Sequence, residues 1–214
     1  STTTLSFGDV SGAGGLTKAG AGLLRLTGSL TYSGPTAVSA GTLEFAPSSG
    51  TSTLAGNVTG AGAIVKSGAG TTVTATGTGN NIFFSGSVRV DAGVLRLGQN
   101  SSGGSSRGLT SATSLVINDG GTVEYLRDAI NSGAAVTVNA GGLLAAGTGG
   151  AFTNFANLTL NGGTFRMGQG VNATFQSAAL GGTLTVGGSS ASTASGCRPT
   201  SSPRRRRTSP STTN

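Results

Sequence analysis

The chain has 214 residues, of which only 9% are charged and 40 are glycine, and its formal net charge is +7. So small a charged fraction, with abundant Gly, Ser and Thr, is typical of disordered or low-complexity chains unless the sequence repeats. The positive charge does not indicate a nucleic-acid partner, because five of the 13 basic residues lie in the last 17 positions and the remaining eight nearly balance six acidic residues.

Catalysis that depends on histidine or on paired cysteines is also excluded. The chain has no His, and Cys197 is its one cysteine, so neither a Ser-His-Asp nor a Cys-His site can be assembled. Imidazole and thiolate metal ligands are lacking for the same reason. No apolar run approaches the ~18 residues of a transmembrane helix, and Ser1 is not followed by the features of a signal peptide. We therefore expect no catalytic residue, no cofactor and no metal.

The first half of the chain repeats a long segment. Residues 12–22 recur as residues 60–70, a shift of 48, and residues 32–45 recur as residues 84–97, a shift of 52. A four-residue insertion around residues 78–81 accounts for the difference between the two shifts. Insertions of this kind belong in the loops of solenoid proteins, so the repeat favours a solenoid over a disordered chain.

The second half repeats a shorter unit, in which a strand-like segment leads to a Gly-Gly turn and a second strand-like segment. The second glycines of these turns recur at nearly even intervals, as Gly121, Gly142, Gly163 and Gly182. A period of about 20 residues with short strands is what one winding of a β-helix requires. Asn118 and Asn139 precede equivalent turns, where stacked Asn side chains are expected to form a ladder.

Alignment on six turn glycines brings two apolar columns into phase. The turn glycines, which are expected to adopt positive φ, are Gly41, Gly93, Gly121, Gly142, Gly163 and Gly182. The residues two positions later are Leu43, Leu95, Val123, Leu144, Phe165 and Leu184. The residues four positions later are Phe45, Leu97, Tyr125, Ala146, Met167 and Val186. The position between them is mostly polar, which predicts strands with one buried face and one wet face.

These patterns predict an all-β fold, a parallel β-helix of about nine windings over residues 1–190. A disordered tail rich in Ser, Pro and Arg is expected to follow over residues 191–214. One winding has too few apolar residues to be stable alone, and stacking at the ~4.8 Å strand spacing buries its columns against the next winding. The ends of the solenoid lack obvious caps, so self-association through exposed edge strands is also expected.

The first unit has a family likeness. Residues 14–28 read Gly-Gly-Leu-Thr-Lys-Ala-Gly-Ala-Gly-Leu-Leu-Arg-Leu-Thr-Gly, and residues 40–43 read Ala-Gly-Thr-Leu. This closely resembles the autotransporter-associated β-strand repeat, also called the passenger-associated transport repeat, of bacterial type V secretion systems. The resemblance is specific over residues 12–45, good over residues 60–97 and only that of a generic β-helix over residues 113–186.

The resemblance implies a right-handed parallel β-helix that is exported through an outer-membrane translocation barrel and is secreted or held at the cell surface. It implies a role in passenger folding, display or adhesion, with a host-surface or extracellular carbohydrate or protein as ligand. It supplies no catalytic residue. The leading interpretation is therefore a non-catalytic structural or adhesive passenger segment.

The acidic residues leave an alternative function open. They are Asp9, Glu44, Asp91, Asp119, Glu124 and Asp128. We interpret them as parts of solvated faces and turns, but a carbohydrate-binding or carbohydrate-cleaving β-helix would place two of them across a groove. The outward column of alternating charge, which predicts cross-strand ion pairs, contains Glu44, Arg96, Glu124 and Arg166.

Three further features have alternative interpretations. The threonines within residues 71–76, with the outward Thr137, Thr159 and Thr185, would suit an ice-binding array, although strand propensity explains them. Residues 124–130 tolerate a helix locally, but their neighbours predict a strand end and a loop. The tail, which contains Arg198 and four arginines at residues 204–207, is interpreted as an unstructured end or as a polyanion-binding arm.

Overall fold

The computed structural model describes residues 3–75, 84–98, 111–125, 130, 133–147, 152–167, 172–175, 178–180, 182–186 and 191–194. The 24 regular elements within these ranges are all β-strands. No helix that could cross a membrane is found among these residues. The strands are short because Gly-rich turns interrupt every alternating segment of the sequence.

The strands follow one another through successive windings. The first three windings contain β1 (Thr4–Phe7), β2 (Val10–Gly12), β3 (Leu16–Lys18), β4 (Leu23–Leu26), β5 (Leu30–Tyr32), β6 (Thr36–Val38), β7 (Thr42–Phe45), β8 (Thr51–Leu54) and β9 (Val58–Thr59). The next three contain β10 (Ala63–Lys66), β11 (Thr72–Ala75), β12 (Ser87–Val90), β13 (Gly93–Leu97), β14 (Ser114–Ile117) and β15 (Gly121–Tyr125). The last three contain β16 (Ala135–Asn139), β17 (Leu143–Ala146), β18 (Phe152–Phe155), β19 (Asn157–Asn161), β20 (Thr164–Met167), β21 (Asn172–Phe175), β22 (Ala178–Leu180), β23 (Thr183–Val186) and β24 (Ala191–Ala194).

Each strand pairs in parallel with the equivalent strand of a neighbouring winding. The first sheet has nine strands in the order β1-β4-β7-β10-β12-β14-β16-β19-β22, and the second has seven in the order β8-β11-β13-β15-β17-β20-β23. Shorter sheets, β2-β5, β3-β6-β9 and β18-β21-β24, complete the windings. Because neighbours in a sheet come from successive windings and not from hairpins, the chain forms a parallel β-solenoid, and the predicted fold class is confirmed.

The windings differ in length and in completeness. Thr4 pairs with Leu23 at one end of the first sheet, whereas Ser87 pairs with Ser114 further along, so the later winding is the longer of the two. Nine passes of the chain contribute a strand to the first sheet, and six of these passes contain three strands within the described ranges. About six turns are therefore complete where about nine were predicted.

Apolar columns that run along the solenoid form its core. In the first sheet one column in register consists of Leu24, Leu43, Ile64, Val88, Leu115, Val136 and Leu158. Leu5, in the outermost described winding, is 55% exposed, whereas its register partner Leu24 is 7% exposed. The comparison shows that stacking of one winding on the next, and not the winding itself, removes these side chains from water.

The alignment on six turn glycines was wrong for the first of them. Leu43 and Phe45 lie in β7 of the first sheet, whereas Leu95 and Leu97 lie in β13 of the second. Both pairs are buried, but they belong to different columns. The cause is the length of chain between the two copies of the motif. From Gly41 to Gly93 the chain makes two windings and then passes one further side of the coil, so the second copy lies in a different sheet.

The other five turns share one register in the second sheet. One column in register there contains Leu95, Val123, Leu144, Phe165 and Leu184. The column two positions further along contains Leu97, Tyr125, Ala146, Met167 and Val186. The eight members of these columns up to Met167 are all buried. Rings of Tyr125, Phe155 and Phe165 pack edge to face beside them, with centroids 6.4 and 5.6 Å apart.

The turn glycines are of two kinds. Gly41 and Gly93 have the expected positive φ, at 67° and 73°. In three later turns the left-handed residue is one position earlier than expected, as φ of 74°, 75° and 79° is found at Gly120, Gly141 and Gly162. The residue after it must be glycine because a side chain has no room there: a Cβ at Gly142 would lie 2.8 Å from the carbonyl oxygen of Ile117. The same holds at Gly121, Gly163 and Gly182, where a Cβ would overlap backbone atoms of the preceding winding.

The boundaries of the solenoid differ slightly from those expected. β24 pairs with β21 and extends the solenoid to Ala194, beyond the expected boundary at residue 190. Residues 124 and 125 end β15, as expected for a strand end. The insertion at residues 78–81, Asp128, Cys197 and the arginines of the tail lie outside the described residues.

Candidate functional site: two lysine clasps and a corner ladder

The two lysines of the chain are both buried, although lysine is one of the side chains least often found inside proteins. Lys66 is 0% exposed and Lys18 is 6% exposed. Lys66 ends β10 and stands in an apolar column between Phe45 and Val90, and Lys18 ends β3 beside Val38 of β6. Each ammonium group therefore has to be satisfied by hydrogen bonds inside the solenoid.

Uncharged oxygen atoms surround the ammonium group of Lys66. Its Nζ donates to the carbonyl oxygens of Ser67 and Gly68, at 3.1 and 2.9 Å. It also contacts Oγ1 of Thr71 at 3.0 Å, and the carbonyl oxygen of Ala92 in the next winding at 3.1 Å. Lys66 thus joins its own turn, between β10 and β11, to the turn between β12 and β13.

Lys18 makes the same arrangement at another corner. Its Nζ donates to the carbonyl oxygens of Ala19 and Gly20, at 3.0 and 2.6 Å, and to that of Ala40 in the next winding at 3.1 Å. It joins the turn between β3 and β4 to the turn between β6 and β7. We call each lysine, with its carbonyl acceptors and the glycine that follows the last acceptor, a lysine clasp.

A glycine completes each clasp. Gly41 and Gly93 directly follow the acceptors Ala40 and Ala92. A Cβ at Gly93 would lie 2.7 Å from Nζ of Lys66, and a Cβ at Gly41 would lie 2.6 Å from Nζ of Lys18. Side chains at these positions would also have to adopt positive φ, which disfavours any residue with a Cβ. A Cβ would also lie 2.4 Å from the carbonyl oxygen of Gly68 at position 93, and 2.4 Å from that of Gly20 at position 41, so both the backbone and the lysine require glycine at these positions.

Burial changes the acid–base properties of the clasp. Desolvation lowers the pKa of Lys66 from 10.5 to about 8, because removal from water penalises the charged form. The surrounding carbonyl oxygens stabilise the charged form, since they accept hydrogen bonds from it. The ammonium form prevails at neutral pH.

Neither lysine was expected to be a site residue, because an isolated lysine is normally interpreted as a surface residue. A signal was nevertheless present. Lys18 and Lys66 occupy the same place in the two copies of the long segment, and the chain has no other lysine. A lysine that only provides solubility does not need a fixed place in a repeat.

A ladder of side-chain amides lines the corner between the first and second sheets. Asn161 Nδ2 donates to Asn139 Oδ1 at 3.1 Å, and Asn139 Nδ2 donates to Asn118 Oδ1 at 2.7 Å. Asn118 Nδ2 in turn donates to Oδ1 of Asp91 at 2.7 Å. The predicted ladder of Asn118 and Asn139 is confirmed, and it continues to Asp91 and Asn161.

The predicted column of alternating charge is divided between two sheets. Arg96 and Glu124 are register partners in the second sheet, and their side chains form an ion pair at 2.5 Å. Glu44 lies in the first sheet, where its carboxylate is 3.6 Å from Nε of Arg25. Arg166 lies two windings from Glu124 and is not its register partner. The assignment of Glu44 to this column was wrong for the same reason as that of Leu43.

The remaining described acids have local partners or lie in turns. Asp9 accepts a hydrogen bond from the Ser29 amide at 2.7 Å, and Asp91 is 2.9 Å from Nε of Arg89. Asp119 is exposed in the turn before β15. No group of three metal-ligating side chains occurs among the residues that the structure describes.

A shallow groove of about 310 Å³ lies on the outer face of the first sheet. It is lined by Thr4, Ala21, Gly22, Leu23, Thr42, Glu44, Val65 and Arg89. Glu44 is the carboxylate of this lining, and it accepts a hydrogen bond from Oγ of Ser67. A two-carboxylate mechanism would need a second acid across the groove.

The outward threonines do not form one array. Thr137 and Thr159 are register partners in the first sheet, whereas Thr185 belongs to β23 of the second. Thr71 and Thr74 are buried. These positions fit the preference of threonine for strands better than a flat ice-binding surface.

Comparison with protein families gives one match. Residues 16–45 and 64–97 each match the family model described as the passenger-associated-transport-repeat. Comparison with curated proteins and with solved structures gives no match for this chain. Each matched segment contains one complete lysine clasp, from the lysine to the glycine of the following winding.

Proposed function

We propose that this chain, which carries two passenger-associated transport repeats, is a non-catalytic structural or adhesive segment of an autotransporter passenger. The repeat points to an autotransporter passenger domain and, in general, to secretion or a cell-surface location. The observation that carries the proposal is the coincidence of repeat and clasp. The segments that the family model matches include the residues that fasten one winding to the next, which suits a segment whose task is to form a stable solenoid.

A structural role also agrees with how the chain uses its charges. Lys18 and Lys66 bind backbone carbonyl groups, and Glu124 binds Arg96 of the neighbouring winding. These groups hold windings together and do not converge on a groove. The alternative, a carbohydrate-cleaving β-helix, is less well supported because the described groove has a single carboxylate in its lining.

The proposal includes two kinds of partner. An outer-membrane translocation barrel would export the chain, and a host-surface or extracellular carbohydrate or protein would be the ligand in adhesion. Exposed polar side chains on the outer faces of the strands, such as Thr31, Thr51 and Thr53, are accessible for such contacts.

Surface display tests the proposed function. The whole chain is placed between the signal peptide and the barrel domain of an autotransporter whose own passenger has been removed, and the fusion is produced in a Gram-negative host. Antibody labelling of intact cells measures exposure, and resistance to added protease measures folding. We expect the chain to be exposed on intact cells and to resist the added protease. The control is a parallel culture that carries the autotransporter with its original passenger. Retention of the chain in the periplasm, while the control culture displays its passenger, would contradict the proposal.

A separate measurement tests adhesion. Displaying cells are applied to immobilised host-matrix proteins and to glycans, and adherent cells are counted against cells that display the barrel alone. Binding above that background supports an adhesive role. Display without binding to either class of surface would restrict the function to a structural stalk.

A further inference from the structure

Each lysine clasp spans one winding and lies inside one repeat. Lys18 and its distant acceptor Ala40 are 22 residues apart, and Lys66 and Ala92 are 26 residues apart. These separations are close to the length of a winding, and both ends fall within a matched segment of the family model. A repeat of this length is thus long enough to contain both the lysine and the turn on which it closes.

The clasp is independent of the side of the solenoid on which it occurs. The Lys66 clasp lies at the corner that leads from the first sheet to the second, and the Lys18 clasp lies at the corner that leads into the first sheet. The lysine, its three carbonyl acceptors and the glycine recur at both corners, and Thr71 provides a fourth acceptor in the Lys66 clasp. The arrangement is therefore specified by the repeat and not by its surroundings.

Most contacts of the Lys66 clasp lie within one winding. The contacts of Lys66 with Ser67, Gly68 and Thr71 join residues at most five positions apart, so a single winding can make them. The contact with Ala92, and the close approach of Gly93 to Nζ, arise only when the two neighbouring windings dock on each other. Contacts that form this late in folding slow unfolding more than they accelerate folding.

We propose that each lysine clasp is a lock that makes the docking of one winding on the next difficult to reverse during export, and that Lys18 and Lys66 are the residues through which the repeats promote transport. A segment that folds outside the membrane cannot slide back through the barrel, so a slower undocking step favours completion of export. This inference rests on the proposed function, because it assigns residues to the transport of an autotransporter passenger.

The display fusion tests the lock through the rate of export. Lys66→Met and Lys18→Met retain the aliphatic side chain and remove the ammonium group. Val136→Ala is the matched control, because Val136 is buried in β16 of the first sheet, three strands from β10. Denaturant midpoints of the purified chains are measured first, so that the lysine variants are compared with a control that has lost a similar amount of stability. Surface appearance is then followed after a pulse of synthesis.

We expect each lysine variant to reach the surface at least threefold more slowly than the original chain, and Val136→Ala to differ by less than twofold. Equal rates for the lysine variants and the original chain, or for lysine variants and a control of matched stability, would overturn the lock. Failure of the original chain to appear at the surface would instead contradict the proposed function, so the two failures are distinguishable.

Unfolding kinetics provide an independent test on the purified chain. The lock requires Lys66→Met to unfold at least tenfold faster, with a refolding rate that changes by less than threefold. An unchanged unfolding rate with slower refolding would place the lysine in the folding nucleus and would overturn the lock.

Discussion

The windings before residue 98 and those after residue 111 solve the same problem by different means. At each corner, turns from two neighbouring windings present backbone and side-chain polar groups that must be satisfied. In the first region a lysine reaches these groups from the interior, as Lys66 does for Ala92. In the second region neutral amides stack along the outside of the corner, as Asn139 does on Asn118.

The two devices meet at consecutive residues. The carbonyl oxygen of Ala92 accepts a hydrogen bond from Lys66 of the preceding winding, and the carboxylate of Asp91 accepts one from Asn118 of the following winding. The contrast between the two regions indicates that one backbone scaffold can be fastened either by a buried charge or by a repeated amide. It predicts that the first region depends on a few residues strongly and that the second depends on many residues weakly.

The largest effect is expected at the glycine of a clasp. Gly93→Ala would force positive φ on a residue with a Cβ, which costs about 1–2 kcal/mol, and would displace Lys66 from its acceptors. With about 1–3 kcal/mol for polar groups left unsatisfied, we expect the free energy of unfolding to fall by about 3–4 kcal/mol in urea titration. Gly70→Ala is the control, because Gly70 has φ of 70° with open space around it. An equal loss for both variants would show that the close approach of Gly93 to the carbonyl oxygens of Gly68 and Thr71 and to Nζ of Lys66 contributes nothing beyond the turn.

The second largest effect is expected for the lysine itself. Lys66→Met leaves the carbonyl oxygens of Ser67, Gly68 and Ala92 without their common donor, and we expect a loss of about 2 kcal/mol at pH 7. Arg89→Met is the control, because Arg89 is exposed and its ion pair contributes about 0–1 kcal/mol. If both variants have the same urea midpoint, the buried lysine contributes no more than an exposed ion pair, and strong fastening of the first region by Lys66 is contradicted.

The charge on Lys66 makes the first region sensitive to pH. Between pH 8 and 10 the folded chain releases the Lys66 proton while the unfolded chain, with a pKa near 10.5, retains it. Because the unfolded state then binds more protons, stability should rise with pH, by about 2 kcal/mol over this range. Above pH 10 the raised pKa of Tyr32 opposes this gain, since the unfolded phenol ionises first.

The measurement is urea titration of the original chain and of Lys66→Met at pH 7, 8, 9 and 10. The difference between the two chains isolates Lys66, because both retain Tyr32. A difference that stays constant from pH 8 to 10 would show that the ammonium group keeps its proton in the clasp throughout.

The smallest effect is expected in the amide ladder. Asn139→Ala removes the hydrogen bonds with both Asn118 and Asn161, and the half-buried position makes a loss of about 1 kcal/mol reasonable. Asn161→Ala removes one bond at an exposed position, and a loss below about 0.5 kcal/mol is expected. Hydrogen exchange of the backbone amides in β14, β16 and β19 measures the loss of stability in both variants. A loss for Asn139→Ala as large as that for Lys66→Met would remove the contrast between strong and weak fastening.

Much of the fold could be predicted because alternation and period are local properties of the sequence. Leu95 and Leu97 alternate with polar neighbours, and the same pattern returns at each following turn, so their shared sheet was identifiable. The sheet to which Leu43 belongs could not be predicted, because the sequence of a repeat does not reveal how many sides of the coil the repeat spans. Only the lengths of all intervening turns determine that number.

The clasps were harder to predict than the core. The sequence shows where Lys66 stands along the chain, but its neighbours in an apolar column come from other windings. The acceptor Ala92 is a backbone group, and a backbone group leaves no residue-type signal in the sequence. The left-handed residue of the later turns was missed by one position for a similar reason, since Gly120 and Gly121 look alike until their neighbours in the preceding winding are known.

The offset between repeat and winding has a mechanical consequence. From Lys18 to Lys66 the chain makes two full windings and advances by one further side, so the second clasp lies at a different corner of the solenoid. In a longer array with this spacing, successive clasps would rotate around the long axis and return to the same side only after three repeats. Resistance to bending would then be alike in every direction, and a rod under shear would have no preferred hinge.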